Sequence, residues 1–278
     1  MEGLSTEVGF EKEVERGDRF QFGDNWASFL TTLDDDRIRV AEESIKKMLG
    51  VQNLEGKTFL DVGSGSGLFS LSARRLGAKV HSFDYDPSSV GCAVELRRRY
   101  FNDDTEWFIE QGSVLDKDYL SSLGTFDIVY SWGVLHHTGQ MWEALGNVGD
   151  LVNYEGSLFI AIYNDEGAKS KFWWKLKRSY NRSFLERCLI IATFIPYYSF
   201  IVSISCIRQR KNLFADYKKQ RGMSMRHDWY DWLGGFPFEV AKVEDLFIFY
   251  LRRGFRLQNL VTTNGLATNQ LVFFKEQG

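Results

Sequence analysis

His136 and His137 stand next to each other in the run Tyr130–Gly139, YSWGVLHHTG, and His227 stands beside Asp228 further along. Three of the four histidines of the chain fall in these two places. An imidazole titrates near neutral pH, so it can take the proton of a hydroxyl that is being made into a nucleophile. His137, His136 and the His227–Asp228 pair are therefore the candidate bases. A base of this kind needs an electrophile, and the most informative part of the sequence supplies a place for one. Gly63, Gly65 and Gly67 stand at alternate positions between Asp61 and Asp84.

The elements that must position these residues are legible around the glycines. Thr58–Val62 reads as a buried strand, Leu68–Leu76 as an amphipathic helix and Lys79–Phe83 as the next strand, closed by Asp84. Glycine tolerates positive φ and lets a ligand approach without a Cβ in the way. The helix that follows presents free backbone N–H groups. A carboxylate only accepts hydrogen bonds, so Asp84 is suited to both hydroxyls of a ribose. Such a unit binds a nucleoside-containing cofactor at the carboxyl ends of parallel strands. The dinucleotide fingerprint Gly-x-Gly-x-x-Gly is not met, because its third glycine falls on Leu68 or Ser70.

Further strands are expected at Glu106–Gln111, Thr125–Ser131 and Ser157–Tyr163, with helices at Asp34–Leu49, from Pro87 to Arg99, and at Met141–Val152. Alternating strands and helices imply a parallel sheet covered on both faces. The rhythm stops after Tyr163 and returns with a helix at Val243–Arg253 and strands at Phe255–Thr262 and Gln270–Lys275, joined through Asn264-Gly265 as a hairpin-like pair. Four regions follow: an N-terminal helical lid at 1–50, a cofactor core at 51–163, a helical cap at 164–235, and a completion of the sheet at 236–278.

The pattern Asp61-x-Gly63-x-Gly65-x-Gly67 followed by Asp84 resembles motif I of class I S-adenosylmethionine (SAM) methyltransferases. Val134–His137 resembles the Val-Leu-His-His turn of the ubiquinone and menaquinone biosynthesis methylases. Phe22–Trp26, Ser82–Pro87, Ile160–Asp165 and Asp231–Gly235 extend the likeness to a bacterial subgroup of these small-molecule methylases. The resemblance implies a seven-stranded, Rossmann-like α/β sheet, mostly parallel with an antiparallel terminal strand, and SAM as cofactor. It implies cofactor contacts from Asp61, Gly63, Ser64, Gly65, Gly67, Asp84, Tyr85, Ser113, Val114 and Trp132. Acceptor contacts are expected from Trp26, Tyr163, Asn164, Trp229 and Trp232. The expected reaction is O-methylation of a small molecule, either a sugar or glycan hydroxyl or a phenol or quinone precursor. Methyl transfer is in line, and a histidine removes the proton. The ubiquinone methylases usually carry an acid where this chain has His136, which leaves their quinone substrate unassigned here. A non-catalytic SAM-binding assembly protein and an N- or C-methyltransferase are the alternatives.

The net charge of −3 over 278 residues argues against general nucleic-acid binding. The three cysteines form neither a metal spacing nor a disulfide framework, which suits a reducing cytoplasm, and no metal is expected. The aromatic segment Phe20–Leu30 has two readings, a lid over the cofactor or a staple for the first helix. The stretch 188–207 carries no charge in 20 residues. Its expected place is a buried helical hairpin or a homodimer face. The alternative is shallow contact with the inner face of a membrane or with a lipid-linked substrate, helped by the flanking cations. If Asp84 holds the ribose, Asp84→Ala weakens S-adenosylhomocysteine binding by about 10–100-fold, the worth of a charged hydrogen bond. Isothermal calorimetry on wild type and variant measures this.

Overall fold

The computed structural model describes residues 2–23, 26, 30–31, 33–210 and 225–277; the side chains of 2–8, 225–228 and 231 lie outside that description. In chain order the elements are α1 (Glu2–Glu15), α2 (Asp35–Leu49), β1 (Thr58–Val62), α3 (Leu68–Arg75), β2 (Lys79–Asp84), α4 (Pro87–Tyr100) and β3 (Trp107–Gln111). They continue with α5 (Lys117–Leu123), β4 (Phe126–Trp132), a 3-10 turn at Leu135–His137, α6 (Met141–Asp150) and β5 (Val152–Tyr163). Next come α7 (Ala168–Arg182), α8 (Phe184–Gln209), α9 (Met225–Gly234), α10 (Val243–Leu251), β6 (Phe255–Val261) and β7 (Thr268–Lys275).

The seven strands form one sheet in the order β3-β2-β1-β4-β5-β7-β6. β1 to β5 pair in parallel, whereas β7 runs antiparallel to both β5 and β6. The sheet is apolar on both faces because helices cover both. Successive side chains of a strand point to opposite faces. Thus Phe59 joins Trp107, Tyr130 and Phe159 under α2 to α4, and Leu60 joins Val129, Leu158 and Phe273 on the other face. Each of these buried side chains contributes about 2–3 kcal/mol through burial.

Local signals set the helix starts. Asp34 Oδ1 accepts the Arg37 N–H at 3.0 Å before α2, and Asp86 caps α4 just ahead of Pro87. Asp116 does the same for α5, a short helix that the apolar periodicity did not reveal. β5 begins at Val152 rather than at Ser157. Its register against β4 shifts between Phe126 and Ile128, and Glu155 takes a positive φ of 62° to absorb the extra residues.

The expectation of a buried hairpin at 188–207 is overturned. The segment lies in the single 26-residue helix α8, which continues through Pro196 and buries none of its side chains in this chain. The helix is long and apolar enough to cross a membrane by length and composition. Tertiary packing decides this: among the described residues α8 is held along one flank, with Trp173–Phe194 and Tyr198–Trp229 ring contacts at 5.6 and 5.8 Å.

The segment after α1 threads between core and cap. Phe20 N–H donates to Phe236 O at 2.9 Å, and Gly23 N–H donates to Asp86 Oδ2 at 2.8 Å. Phe20 also packs on Gly234, so a Cβ there would fall 2.2 Å from its ring. The described residues of the aromatic lead-in, Phe20–Gly23 and Trp26, thus form a strap over the carboxyl ends of β1, β2 and β4. Within the cofactor turn, Gly67 holds φ +79°, and a Cβ on it would lie 2.9 Å from Ala93 Cα of α4. Gly67→Ala therefore combines a left-handed alanine with a backbone overlap, and lowers the unfolding free energy by about 2 kcal/mol or more. Urea unfolding followed by tryptophan fluorescence measures the drop.

Candidate functional site

The site is built at the carboxyl ends of β1, β2 and β4. The parallel register sets Asp61 opposite Ser82, and Val62 opposite Phe83, so Asp84 emerges next to the turn after β1. Asp84 Oδ2 accepts the Gly65 N–H at 2.9 Å, and Oδ1 accepts the Asp86 N–H at 2.9 Å. Each oxygen keeps a lone pair beyond these bonds, which is the acceptor set that two ribose hydroxyls require.

Asp61 is buried at the end of a directed hydrogen-bond chain. Trp107 Nε1 donates to Ser82 Oγ at 2.8 Å, Ser82 Oγ donates to Ser70 Oγ at 2.8 Å, and Ser70 Oγ donates to Asp61 Oδ2. Burial nonetheless pushes Asp61 up to about 7, with the Ser70 hydroxyl pulling the other way and Asp84 adding like-charge repulsion. Burial likewise raises Asp84 to about 6. Two carboxylates held together in a desolvated corner favour a cation there. SAM carries an ammonium and a sulfonium, so the donor set fits this cofactor.

The three turn glycines all have positive φ, at 76°, 53° and 79° for Gly63, Gly65 and Gly67. Each also has a protein neighbour where a Cβ would be: Val134 against Gly63, Trp26 against Gly65 and Ala93 against Gly67. Trp26, expected on the acceptor side, therefore lies over the cofactor turn. Ser64 sits in the turn with its Oγ buried and without a partner among the described residues. Val114 was expected beside the adenine, but its side chain packs in the core with Leu120 and Leu135. Ser113 Oγ accepts the Leu115 N–H at 3.2 Å and so shapes that loop. Tyr85 packs edge-on against Phe10 at 5.4 Å, with the Arg19 guanidinium 4.9 Å from its ring. Trp132, at the end of β4, is 40% exposed.

The histidine pair differs in role. His136 is fully buried, its Nδ1 faces the Tyr163 N–H at 3.4 Å, and its Nε2 is buried without a partner among the described residues. Burial holds its pKa well below the ordinary value. His137 Nδ1 lies 2.6 Å from Pro237 O, and its ring meets Phe22 at 5.1 Å. A carbonyl only accepts, so Nδ1 carries the proton and Nε2 carries the lone pair. Burial lowers His137 to about 3, which keeps the ring neutral at physiological pH.

The Tyr163 ring lies 4.0 Å from His136 and 5.6 Å from His137, and Trp232 packs behind it at 5.7 Å, so of these two acceptor-side candidates Tyr163 meets the histidines directly. Trp229 instead faces Tyr198 of α8. Asn164 is committed to structure: its Nδ2 donates to Glu166 at 2.8 Å, and its Oδ1 accepts from Asn269 at 3.1 Å. Both ends of the amide lock the β5–β7 connection, which corrects the expected acceptor role. The side chains of His227 and Asp228 lie outside the described residues.

Two residues were missed by sequence reasoning. Lys177 of α7 is fully buried, donates to the Trp232 carbonyl, and sits 4.4 Å and 5.0 Å from the Trp232 and Phe238 ring centres. Arg19 Nη1 donates to His137 O at 2.9 Å, and its Nε pairs with Glu13 at 2.6 Å. Lys177 is hidden in a run of exposed cations, and Arg19 precedes any recognisable motif, so neither had a local signal.

A family model described as a methyltransferase domain matches residues 33–207, more than half of the chain. The chain belongs to that family and contains a methyltransferase domain. The tRNA U34 carboxymethyltransferase of Pseudomonas fluorescens is 33% identical over 117 residues, 41% of this chain and 35% of that protein. The chain thus spans about a third of the length of this curated relative. Among solved structures, magnesium protoporphyrin IX methyltransferase from Synechocystis with bound SAM aligns with a TM-score of 0.52 at 12% identity, covering 86% of this chain and 79% of that one. A SAM-dependent methyltransferase fold from Methanococcus maripaludis aligns at 0.50 and 15% identity, covering 92% and 93%. At these identities the likeness is one of fold.

The raised carboxylates predict a proton signature. At pH 6.5 the free protein holds about one proton on Asp61 and Asp84 together, and binding of S-adenosylhomocysteine as the carboxylate form releases it. Above pH 8.5 both groups are already ionised and no proton is released. Calorimetry in buffers of different ionisation enthalpy reads the number directly. Ser70→Ala removes a donor that lowers Asp61, so its release extends to higher pH.

Proposed function

We propose that this methyltransferase moves a methyl group from SAM to the hydroxyl of a small acceptor, a phenol or quinone precursor or a sugar hydroxyl, with His137 receiving the proton. The observation that carries the reading is the fixed tautomer of His137, whose Nδ1 is tied to the Pro237 carbonyl so that Nε2 is the basic nitrogen. In this reading residues 51–163 hold the cofactor, 1–50 form the lid, 164–235 cap the acceptor, and 236–278 complete the sheet. In the same reading the chemistry is cytoplasmic, since the three cysteines have no spacing of a disulfide framework.

Asp84 would hold the ribose and the Gly63–Gly67 turn the amino-acid tail, with Asp61 oriented toward its ammonium. Tyr85, Ser113, Trp132 and Trp26 would frame the cofactor. Bound there, SAM supplies an electrophilic methyl on a sulfonium leaving group. The chain's own task is alignment and exclusion of water, which Phe20, Phe22 and Trp26 of the strap serve. A neutral imidazole with a depressed pKa is a weak base in the resting state. An attacking hydroxyl grows steeply more acidic as its oxygen bonds to carbon, so a weak base suffices once transfer is under way. Tyr163 and Trp232 would bound the acceptor opposite His137, and Lys177 would supply a positive field behind them.

The test is a screen of phenols and sugars for production of S-adenosylhomocysteine, followed by His137→Ala on the best acceptor. The variant lowers kcat roughly 10²–10³-fold while its affinity for S-adenosylhomocysteine stays within about twofold. Wild-type kcat shows no ionisation near pH 6.5, because His137 is neutral throughout. A variant with unchanged kcat removes His137 from the chemistry. No turnover with any acceptor, alongside tight cofactor binding, favours the non-catalytic assembly protein.

A further inference from the structure

The helix α8 is not explained by methyl transfer. It exposes Leu189, Phe200 and Ile207 at 67%, 65% and 77%, and its apolar side chains are distributed all round rather than along one stripe. Such a helix is at home in a protein core or in lipid, not in water. The core is excluded by its exposure. Charge narrows the partner. Residues 168–210 hold nine lysines and arginines and a single acid, Glu186, within a chain of net charge −3. Arg182 and Arg187 stand at the start of α8 and Arg208 and Arg210 at its end, while the exposed Lys171 and Lys175 lie on α7 beside it. Cations that bracket an apolar helix, rather than stud it, match phosphate headgroups flanking a hydrocarbon layer.

Topology decides how the helix meets lipid. β5 precedes α8 and β7 follows it, yet the two strands pair along Ser157–Tyr163 and Thr268–Phe274. A single crossing would put them on opposite sides of the bilayer. The flank of α8 that carries Phe194 and Tyr198 is also held by Trp173 and Trp229. A second copy fits less well: the single acid Glu186 cannot match Arg182, Arg187, Arg208 and Arg210, so either direction of pairing brings together more cations than it neutralises.

We infer that α8 is a docking helix that lies in the surface of an anionic bilayer, its exposed apolar side immersed and the flanking cations on headgroup phosphates. The inference is independent of the acceptor. It sets the cap against the membrane, from which ring contacts run Phe194–Trp173–Trp232–Tyr163–His136 at 5.6, 5.2, 5.7 and 4.0 Å to the histidine pair.

Flotation of the full chain with phosphatidylcholine vesicles, with and without phosphatidylglycerol, tests it. The expected result is co-flotation with the anionic vesicles, weakened by salt and released by alkaline carbonate. Leu189→Glu with Phe200→Glu lowers binding at least about tenfold, since both charges enter hydrocarbon. Arg208→Glu with Arg210→Glu removes only the anionic preference. Calorimetric binding of S-adenosylhomocysteine stays intact in each variant and reports that the core is folded. Four results overturn the inference: no flotation with either vesicle; a dimer by light scattering that the Leu189→Glu, Phe200→Glu pair dissociates; retention in the membrane after carbonate; or binding of tRNA in preference to vesicles.

Discussion

Two carboxylates share one buried corner, and much of the structure is arranged around that constraint. Asp61 and Asp84 end adjacent parallel strands, and neither finds a lysine or arginine as its main support. Asp61 is held by the Ser70 hydroxyl, itself fed by Ser82 and the Trp107 indole from two strands away. Asp84 is held by two backbone N–H groups from the turns it touches. Neutral donors orient a carboxylate without cancelling its charge. The raised pKa values come first from burial and secondarily from like charge, and a cationic ligand relieves both.

The same economy of charge appears at the histidine pair. Burial keeps both rings neutral, and the Pro237 carbonyl chooses the tautomer of His137. Pro237 belongs to the segment after α9, and Phe20 binds the neighbouring Phe236 carbonyl. The strap, the cap and the 3-10 turn after β4 are thus fastened to one another through backbone groups around a single imidazole. Movement of the strap would alter the cofactor turn, through Trp26 on Gly65, and the surroundings of His137, through Phe22, at the same time.

The chain divides its charge by region. The methyltransferase core is acidic, while α7 and α8 are basic; α7 packs its Lys177 and Tyr180 inward, and α8 faces outward. The family match at 33–207 runs through β5 into α8, so the two parts are one continuous piece of sequence. What differs is their packing: the sheet covers its apolar residues on both faces, and α8 leaves its own uncovered.

The sheet and the acidic corner beside the glycine turn are legible in the chain alone. Strand alternation, the glycine turn and Asp84 are local signals, because a parallel βαβ unit is built from contacts within about 30 residues. The caps Asp34, Asp86 and Asp116 are equally local, although a helix as short as α5 has too few apolar positions to declare itself. What depends on distant residues emerges with the packing of the fold. It tied Asn164 to Asn269, sent the Val114 side chain into the core, and moved Trp26 from the acceptor side to Gly65. It also buried Lys177 beneath Trp232 and left α8 exposed. Burial is a property of what packs opposite a residue, and an apolar run of 20 residues reads the same whether protein, a second copy or lipid will cover it.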